Sequence, residues 1–427
     1  MQGHFRTRAY LYIDRDVCSN GVMGTTVQAI LQEHFEAFAA THPLAPYQRA
    51  AAEALRDCRT AALGGHWRSC PNGHVHTAHF NSCRHRSCPL CTSLARQQWL
   101  AGWQERLLDC PHTHIVFTTP QQLIPLWRYN KQRFTGLLFH AAADALRELL
   151  ADPKYLGAVP GLLAGLHTWG QALPLHIHVH LLVTWGGLTA EGAWREPTKS
   201  CLLPRRVLVA VFRGKLRAYL GKALDQGELE LPPDRTAAQI RGVLNRVGRM
   251  VWNVKILERY EHGQGVVTYL ARYLKGGPLS NGRLVDCRDG MVRFRYRDNG
   301  DRDESDGRGR WKTLRLPVDE FLQRLLEHVP PPSLQTVRAY GLYANSKRPV
   351  RAVARVRFDQ QPEAKPVKIR WQDICVQLGR PAATVCPQCG APLVVHGRIP
   401  PRRGGSAQQP AAAAPPPQAQ PPPGQAA

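Results

Sequence analysis

The stretch Leu175-His176-Ile177-His178-Val179-His180-Leu181-Leu182 alternates imidazole with aliphatic side chains. Successive side chains of a strand point to opposite faces. His176, His178 and His180 therefore line one face, and Ile177, Val179 and Leu181 line the other. Such a strand packs its apolar side on helices and turns its imidazoles toward a site. Two imidazoles two residues apart can hold one divalent ion from a rigid platform. A half-exposed strand with incidental histidines is the plain alternative. Three histidines in alternation favour the metal site, but they name neither the metal nor the reaction.

Working outward, Leu162 to Trp169 is a second strand, separated from the first by a turn over residues 170–174. His114 to Pro120 reads as a third, and Val251 to Ile256 as a fourth. Helical spacing covers residues 26–57, interrupted at Pro43 and Pro46, then 92–108, 132–151 and a basic run over 203–223. A hairpin pairs Val292–Arg297 with Trp311–Leu316. Strands and helices intermix without an internal repeat, so the expected fold class is α+β with an antiparallel sheet.

A helix is also expected over Gly265-Val266-Val267-Thr268-Tyr269-Leu270-Ala271-Arg272-Tyr273-Leu274-Lys275, where Val266, Val267, Leu270 and Leu274 form one apolar stripe. Tyr269 and Tyr273 stand four residues apart, so they project together from one edge of the stripe, with Arg272 and Lys275 on the polar side. Alone, two such tyrosines would be boundary residues with packed rings and wet hydroxyls. Beside a histidine strand they suggest nucleophiles for a phosphodiester, with a metal offsetting charge on the phosphate oxygens. An aryl-phosphate ester conserves the energy of the broken bond, and no Gly-x-x-x-x-Gly-Lys-Ser/Thr loop for ATP is present.

Cysteines and charge add a second theme. Six of the twelve cysteines lie between Cys58 and Cys110. Cys70-Pro71-Asn72-Gly73-His74, followed by Cys88-Pro89-Leu90-Cys91, fits a tetrahedral zinc site made of Cys70, His74, Cys88 and Cys91. Cys83, Cys58, His76 and His85 compete for the same role, and Arg84 and Arg86 offer phosphate contacts. A weaker half-site, Cys386-Pro387-Gln388-Cys389, has Cys375 and His396 nearby in sequence. Fifty-six Lys and Arg against 32 Asp and Glu leave a net charge of +24, a surface suited to polyanions rather than to small neutral substrates. The start of the chain lacks a signal-peptide core, and no apolar run approaches membrane length, so a cytoplasmic location without a membrane partner is expected. Residues 404–427 are almost wholly Pro, Ala, Gln and Gly, the composition of a disordered tail.

Taken in order, these motifs resemble the rolling-circle insertion-sequence transposases of the HUH nuclease superfamily, in their two-tyrosine branch. The likeness runs through Cys58–His66, Ser82–Cys91, His114–Pro120, His176–His180, Tyr269–Tyr273, Phe321–His328 and Val337–Leu342. It implies an HUH-type nuclease core with a central antiparallel sheet, holding Mg²⁺ or Mn²⁺ through His178 and His180 with help from His176. Tyr269 and Tyr273 would be the nucleophiles, forming a 5′-phosphotyrosine with single-stranded element ends and target DNA. Glu261, His262 and Gln264, just before the tyrosine helix, are candidates for a third metal ligand.

The implied organisation is a helical segment over 1–57, a zinc-binding DNA-contact module over 58–105 and the nuclease over 106–300. A C-terminal region with the second zinc half-site over 301–403 and the tail over 404–427 complete it. A plasmid replication initiator or relaxase would share the chemistry. A zinc hydrolase built on His176, His178 and His180 would not need the tyrosines, and a non-catalytic zinc-containing nucleic-acid-binding protein would not need the histidine strand.

Overall fold

The computed structural model describes residues 24–274, 277–304, 307–377 and 384–402. The expected tail over 404–427 and the first residues of the chain lie outside them. The helices are α1 (Val27–Thr41), α2 (Pro46–Arg56), α3 (Ser93–Arg106), α4 (Ile124–Tyr129), α5 (Lys131–Ala151), α6 (Arg205–Asp225), α7 (Ala237–Arg249), α8 (Gln264–Leu274), α9 (Val318–Glu327), α10 (Arg348–Arg357) and α11 (Trp371–Gln377). The strands are β1 (Gly65–Ser69), β2 (His76–Phe80), β3 (His112–Thr118), β4 (Val159–Trp169), β5 (Leu175–Leu188), β6 (Trp194–Arg195), β7 (Val254–Tyr260), β8 (Leu284–Arg288), β9 (Met291–Arg302), β10 (Gly309–Pro317), β11 (Val337–Gly341) and β12 (Val394–Ile399). The α+β class and the antiparallel sheet follow the sequence reading.

Two compact units divide the chain. One comprises residues up to Arg56 together with Arg84–Ile369, and the other joins Asp57–Cys83 to the segment from Arg370 onward. The larger unit is built on a fully antiparallel sheet in the order β11-β4-β5-β3-β7, with β6 pairing the end of β5. β5, the histidine strand, is therefore central. Its odd-numbered residues Ile177, Val179, Leu181 and Val183 enter a core with Ile115 and Phe117 of β3, Phe134, Leu138 and Phe139 of α5, and Phe212 and Leu216 of α6. The opposite face carries Leu182 beside Leu163 of β4. It is covered by Leu100 and Trp103 of α3, Val266, Val267, Leu270 and Ala271 of α8, and Ala354 of α10.

A second sheet of the larger unit runs β10-β9-β8, with Phe294 of β9 facing Phe321 of α9 at 5.9 Å between ring centroids. Gln48 of α2 bonds the Leu326 carbonyl of α9 at 2.9 Å. In the smaller unit β1 lies between β12 and β2.

Two expected boundaries differ. The module drawn over 58–105 is divided after Cys83, because α3 contributes Leu100 and Trp103 to the cover of the large sheet. The nuclease boundary at 300 is crossed because β11 completes that sheet by pairing residue by residue with β4, Val337 opposite Gly165. The third strand beside the β1–β2 hairpin comes from β12, more than 300 residues later in the chain.

Phe117 is fully buried, and its ring meets that of Phe212 edge-on at 4.7 Å. Phe117→Ala should lower the unfolding free energy by about 3–5 kcal/mol in a denaturant titration. A loss below about 1 kcal/mol would mean that this side of the sheet does not carry the core.

Candidate metal centre and nucleophile

The hairpin of β4 and β5 assembles the centre. Trp169 pairs with Leu175 beside the turn, but the register then shifts by one residue, so that His167 lies opposite His178 and Gly165 opposite His180. On the other side of β5, β3 places Thr118 opposite His178 and Val116 opposite His180. Residues directly opposite in an antiparallel pair share a face. His167 thus joins His178 and His180, and one ring nitrogen from each lies within 4.8 Å of the others. All three residues are buried.

Hydrogen bonds fix which nitrogens face the gap. His178 Nδ1–H donates to the His176 carbonyl at 2.7 Å, which leaves the Nε2 lone pair for a ligand. His180 Nδ1 and His114 Nε2 share a hydrogen bond of 2.7 Å. The other nitrogen of that ring, His180 Nε2, is buried with no hydrogen-bond partner among the described residues. A polar atom left so inside a fold is costly unless something binds it. Among the groups able to bind there, a cation coordinating through the lone pair suits the arrangement.

The electrostatics agree. Burial pushes the His178 imidazole down to about 3, with His176 adding to the shift, and burial takes His114 down to about 4. His167 and His180 are held well below the ordinary histidine value, by burial first and by neighbouring imidazoles second. Imidazoles kept neutral at neutral pH are in the form that binds metals.

Tyr269 of α8 stands beside this cluster. Its ring centroid is 5.6 Å from that of His180, 5.8 Å from His114 and 6.2 Å from His167. The buried stripe Val266, Val267, Leu270 and Ala271 fixes the helix on the sheet, which leaves half-buried Tyr269 at its margin. Tyr273 follows one turn later in α8, but its side chain and that of Arg272 lie outside the described residues, as does the whole of Lys275.

The remaining expected residues fall as follows. His176 is half-buried at the open end of the row, its ring 4.9 Å from that of His178, and it stays outside the group of three. Glu261 and His262 are exposed between β7 and α8, and Gln264 is the exposed first residue of α8. Glu261 pairs with Arg259 and His262 with Asp109. In their place the sheet register brings His167 to His178 and His180, and His114 is a further residue not anticipated. Each lies on a strand flanking β5, so only the sheet register could have revealed them.

Arg84 is exposed, whereas Arg86 is half-buried and bonds Thr336 Oγ1. Cys70 and His74 group with Cys386 and Cys389 in place of Cys88 and Cys91, because β12 brings the late cysteines to the β1–β2 turn. Cys88 and Cys91 lie just before α3. Cys83 donates its backbone N–H to Cys58 Sγ at 3.4 Å.

Comparison with known proteins adds independent findings. Residues 161–349 match the family model described as "Putative transposase", and residues 30–119 match a "Transposase zinc-binding domain". The chain is 40% identical over 334 residues to "Putative transposase y4qJ" of Sinorhizobium fredii (strain NBRC 101917 / NGR234), covering 76% of this chain and 82% of that protein. It is 33% identical over 295 residues to "Transposase for insertion sequence element IS801" of Pseudomonas savastanoi pv. phaseolicola, covering 67% of this chain and 68% of that one. No solved structure gave a significant match.

Two outcomes test the centre itself. His114 touches His180 rather than the space among the ring nitrogens, so His114→Ala should weaken divalent-ion affinity about 10–100-fold by freeing the His180 ring. Unchanged affinity in a metal titration would remove His114 from the design. The second concerns protons. Imidazoles that are neutral when folded but titrate near 6.5 when unfolded make the unfolded state bind more protons below that value. Metal-free protein should therefore lose stability as pH falls from 6.5 toward 4, by up to about 1.4 kcal/mol per pH unit for each such histidine. Denaturant titrations in chelator would read this slope, which should be shallower in the His167→Ala/His178→Ala double variant.

Proposed function

Because this chain belongs to the insertion-sequence transposase family defined by these models and relatives, we propose that it cuts and rejoins single-stranded DNA at the ends of its element through a phosphotyrosine intermediate. The observation that carries the reading is the Tyr269 ring standing 5.6 Å from that of His180, beside three histidines able to share one ion.

Three neutral imidazoles, one with a buried unpaired nitrogen, fit a divalent cation. Of Mg²⁺ and Mn²⁺, the nitrogen donors favour Mn²⁺, since Mg²⁺ takes oxygen ligands. When bound, the ion supplies positive charge to the non-bridging phosphate oxygens.

The chain's own residues do the rest. His114 and the His176 carbonyl hold the rings of His180 and His178 in the ligating tautomer. Tyr269 Oη attacks phosphorus, forming the O–P bond as the bond to the 3′ oxygen breaks. The phenol proton passes to water, and the departing 3′ oxygen takes one up. A 3′-hydroxyl attacking the phosphotyrosine reverses these events and frees Tyr269, so rejoining needs no ATP. Tyr273, one turn along α8, is the proposed second nucleophile.

Single-stranded DNA also suits the surface. Trp311 on β10 is 53% exposed, with the Arg297 and Arg295 guanidiniums 4.8 and 5.8 Å from its ring. An exposed indole flanked by cations is a stacking platform for unpaired bases. Family membership favours transposition over plasmid replication as the process that uses this chemistry.

The test uses end-labelled single-stranded DNA from the element's terminus, with Mn²⁺ or EDTA, analysed on a denaturing protein gel. A labelled, metal-dependent adduct should form, and Tyr269→Phe combined with Tyr273→Phe should reduce it to background. An adduct of undiminished yield in the double variant would refute tyrosine as the nucleophile.

A further inference from the structure

The smaller unit has almost no apolar core. Among its described residues the buried hydrophobic side chains are Ile374 and the cysteines Cys58, Cys70, Cys375 and Cys386, while Val394 and Val395 of β12 are more than half exposed. So small a module needs a staple other than hydrophobic burial.

We infer that Cys70, His74, Cys386 and Cys389 form a zinc site that ties the early hairpin to the C-terminal region. The matched zinc-binding domain ends at residue 119, so half of this ligand set lies outside it. The inference goes beyond the strand-transfer reading and does not depend on it.

Geometry carries the assignment. One ligand atom from each residue lies within 4.8 Å of every other. Cys70 Sγ is 3.4 Å from Cys389 Sγ and 3.7 Å from His74 Nδ1, and Cys386 Sγ is 3.9 Å from that same nitrogen. Tetrahedral zinc with usual bond lengths separates its sulfur ligands by about 3.8 Å and sulfur from nitrogen by about 3.6 Å.

Both halves are tight turns closed by a glycine N–H, one reaching back three residues and the other four. Gly73 N–H donates to the Cys70 carbonyl at 3.0 Å, and Gly390 N–H to the Cys386 carbonyl at 2.9 Å. Each glycine is in the left-handed region, at φ 78° and 71°, where a side chain would be strained. Asn72 completes the first turn, sending its backbone N–H to Cys70 Sγ at 3.4 Å and its amide to Cys389 Sγ at 3.5 Å. Donors of this kind favour thiolates and orient them on a metal. The two turns meet because β12 pairs with β1, Val394 opposite Ser69.

The test is made on full-length protein purified under reducing conditions. Zinc measured by mass spectrometry should fall by one equivalent per chain in the Cys386→Ser/Cys389→Ser variant, and Cys201→Ser, at an exposed cysteine, should leave it unchanged. Unchanged zinc in the double variant would overturn this site, whereas absence of zinc from the wild type would overturn zinc binding altogether.

Should the variant not fold, alkylation mapping of the wild type gives the answer. Cys389 is exposed, so without metal it should react as readily as Cys201. Protection of Cys70, Cys386 and Cys389, lost together when a chelator removes zinc, supports the site. Rapid labelling of Cys389 in zinc-loaded protein, or a Cys70–Cys389 disulfide, refutes it.

Discussion

The one-residue register shift between His167 and Trp169 governs what the central sheet can do. Antiparallel partners share a face, so a slip of one residue sends every side chain to the other side. Had the pairing of Trp169 with Leu175 continued without the shift, His167 would stand opposite Ile177, on the face packed against α5 and α6. With the shift it stands opposite His178, and a pair of imidazoles on one strand becomes a group of three on two. Bulges are common next to sites for this reason: they re-aim a side chain without disturbing the rest of the ladder.

That same face then has to be closed. Most of it is ordinary core, with Leu163 and Leu182 beneath α3, α8 and α10, and the imidazoles sit within this apolar surround. The surround keeps the rings uncharged, and it is also why α8 lies where it does. Four buried side chains hold the helix down, and Tyr269 packs at the margin of the same cluster. In the proposed reaction this matters, because a nucleophile must be held near its target geometry before any bond forms. The histidine strand and the tyrosine helix are thus one construction, with the sheet face as their common support.

Much of this was legible in the sequence. The alternation over Leu175–Leu182 placed the histidines on one face, and the stripe Val266, Val267, Leu270 placed Tyr269 at its margin. What was not legible depended on pairing between distant segments. His167 lay inside a recognised strand, but its face is decided by a bulge that periodicity does not record. His114 reaches His180 only because β3 lies beside β5. Cys70 and His74 were expected to close with the next Cys-x-x-Cys in sequence, since nothing local distinguishes it from one more than 300 residues away. The C-terminal half-site was visible, but its partner was set by the pairing of β12 with β1.

The central claim is that His167, His178 and His180 together hold a divalent ion beside Tyr269. Crystals of the full protein grown with Mn²⁺, measured at the manganese absorption edge, test it most directly. The account predicts one anomalous peak bounded by a ring nitrogen of each of the three histidines, weakened or lost in His167→Ala. A peak held by His176 and His178 without His167, or manganese bound only elsewhere on the chain, would contradict it.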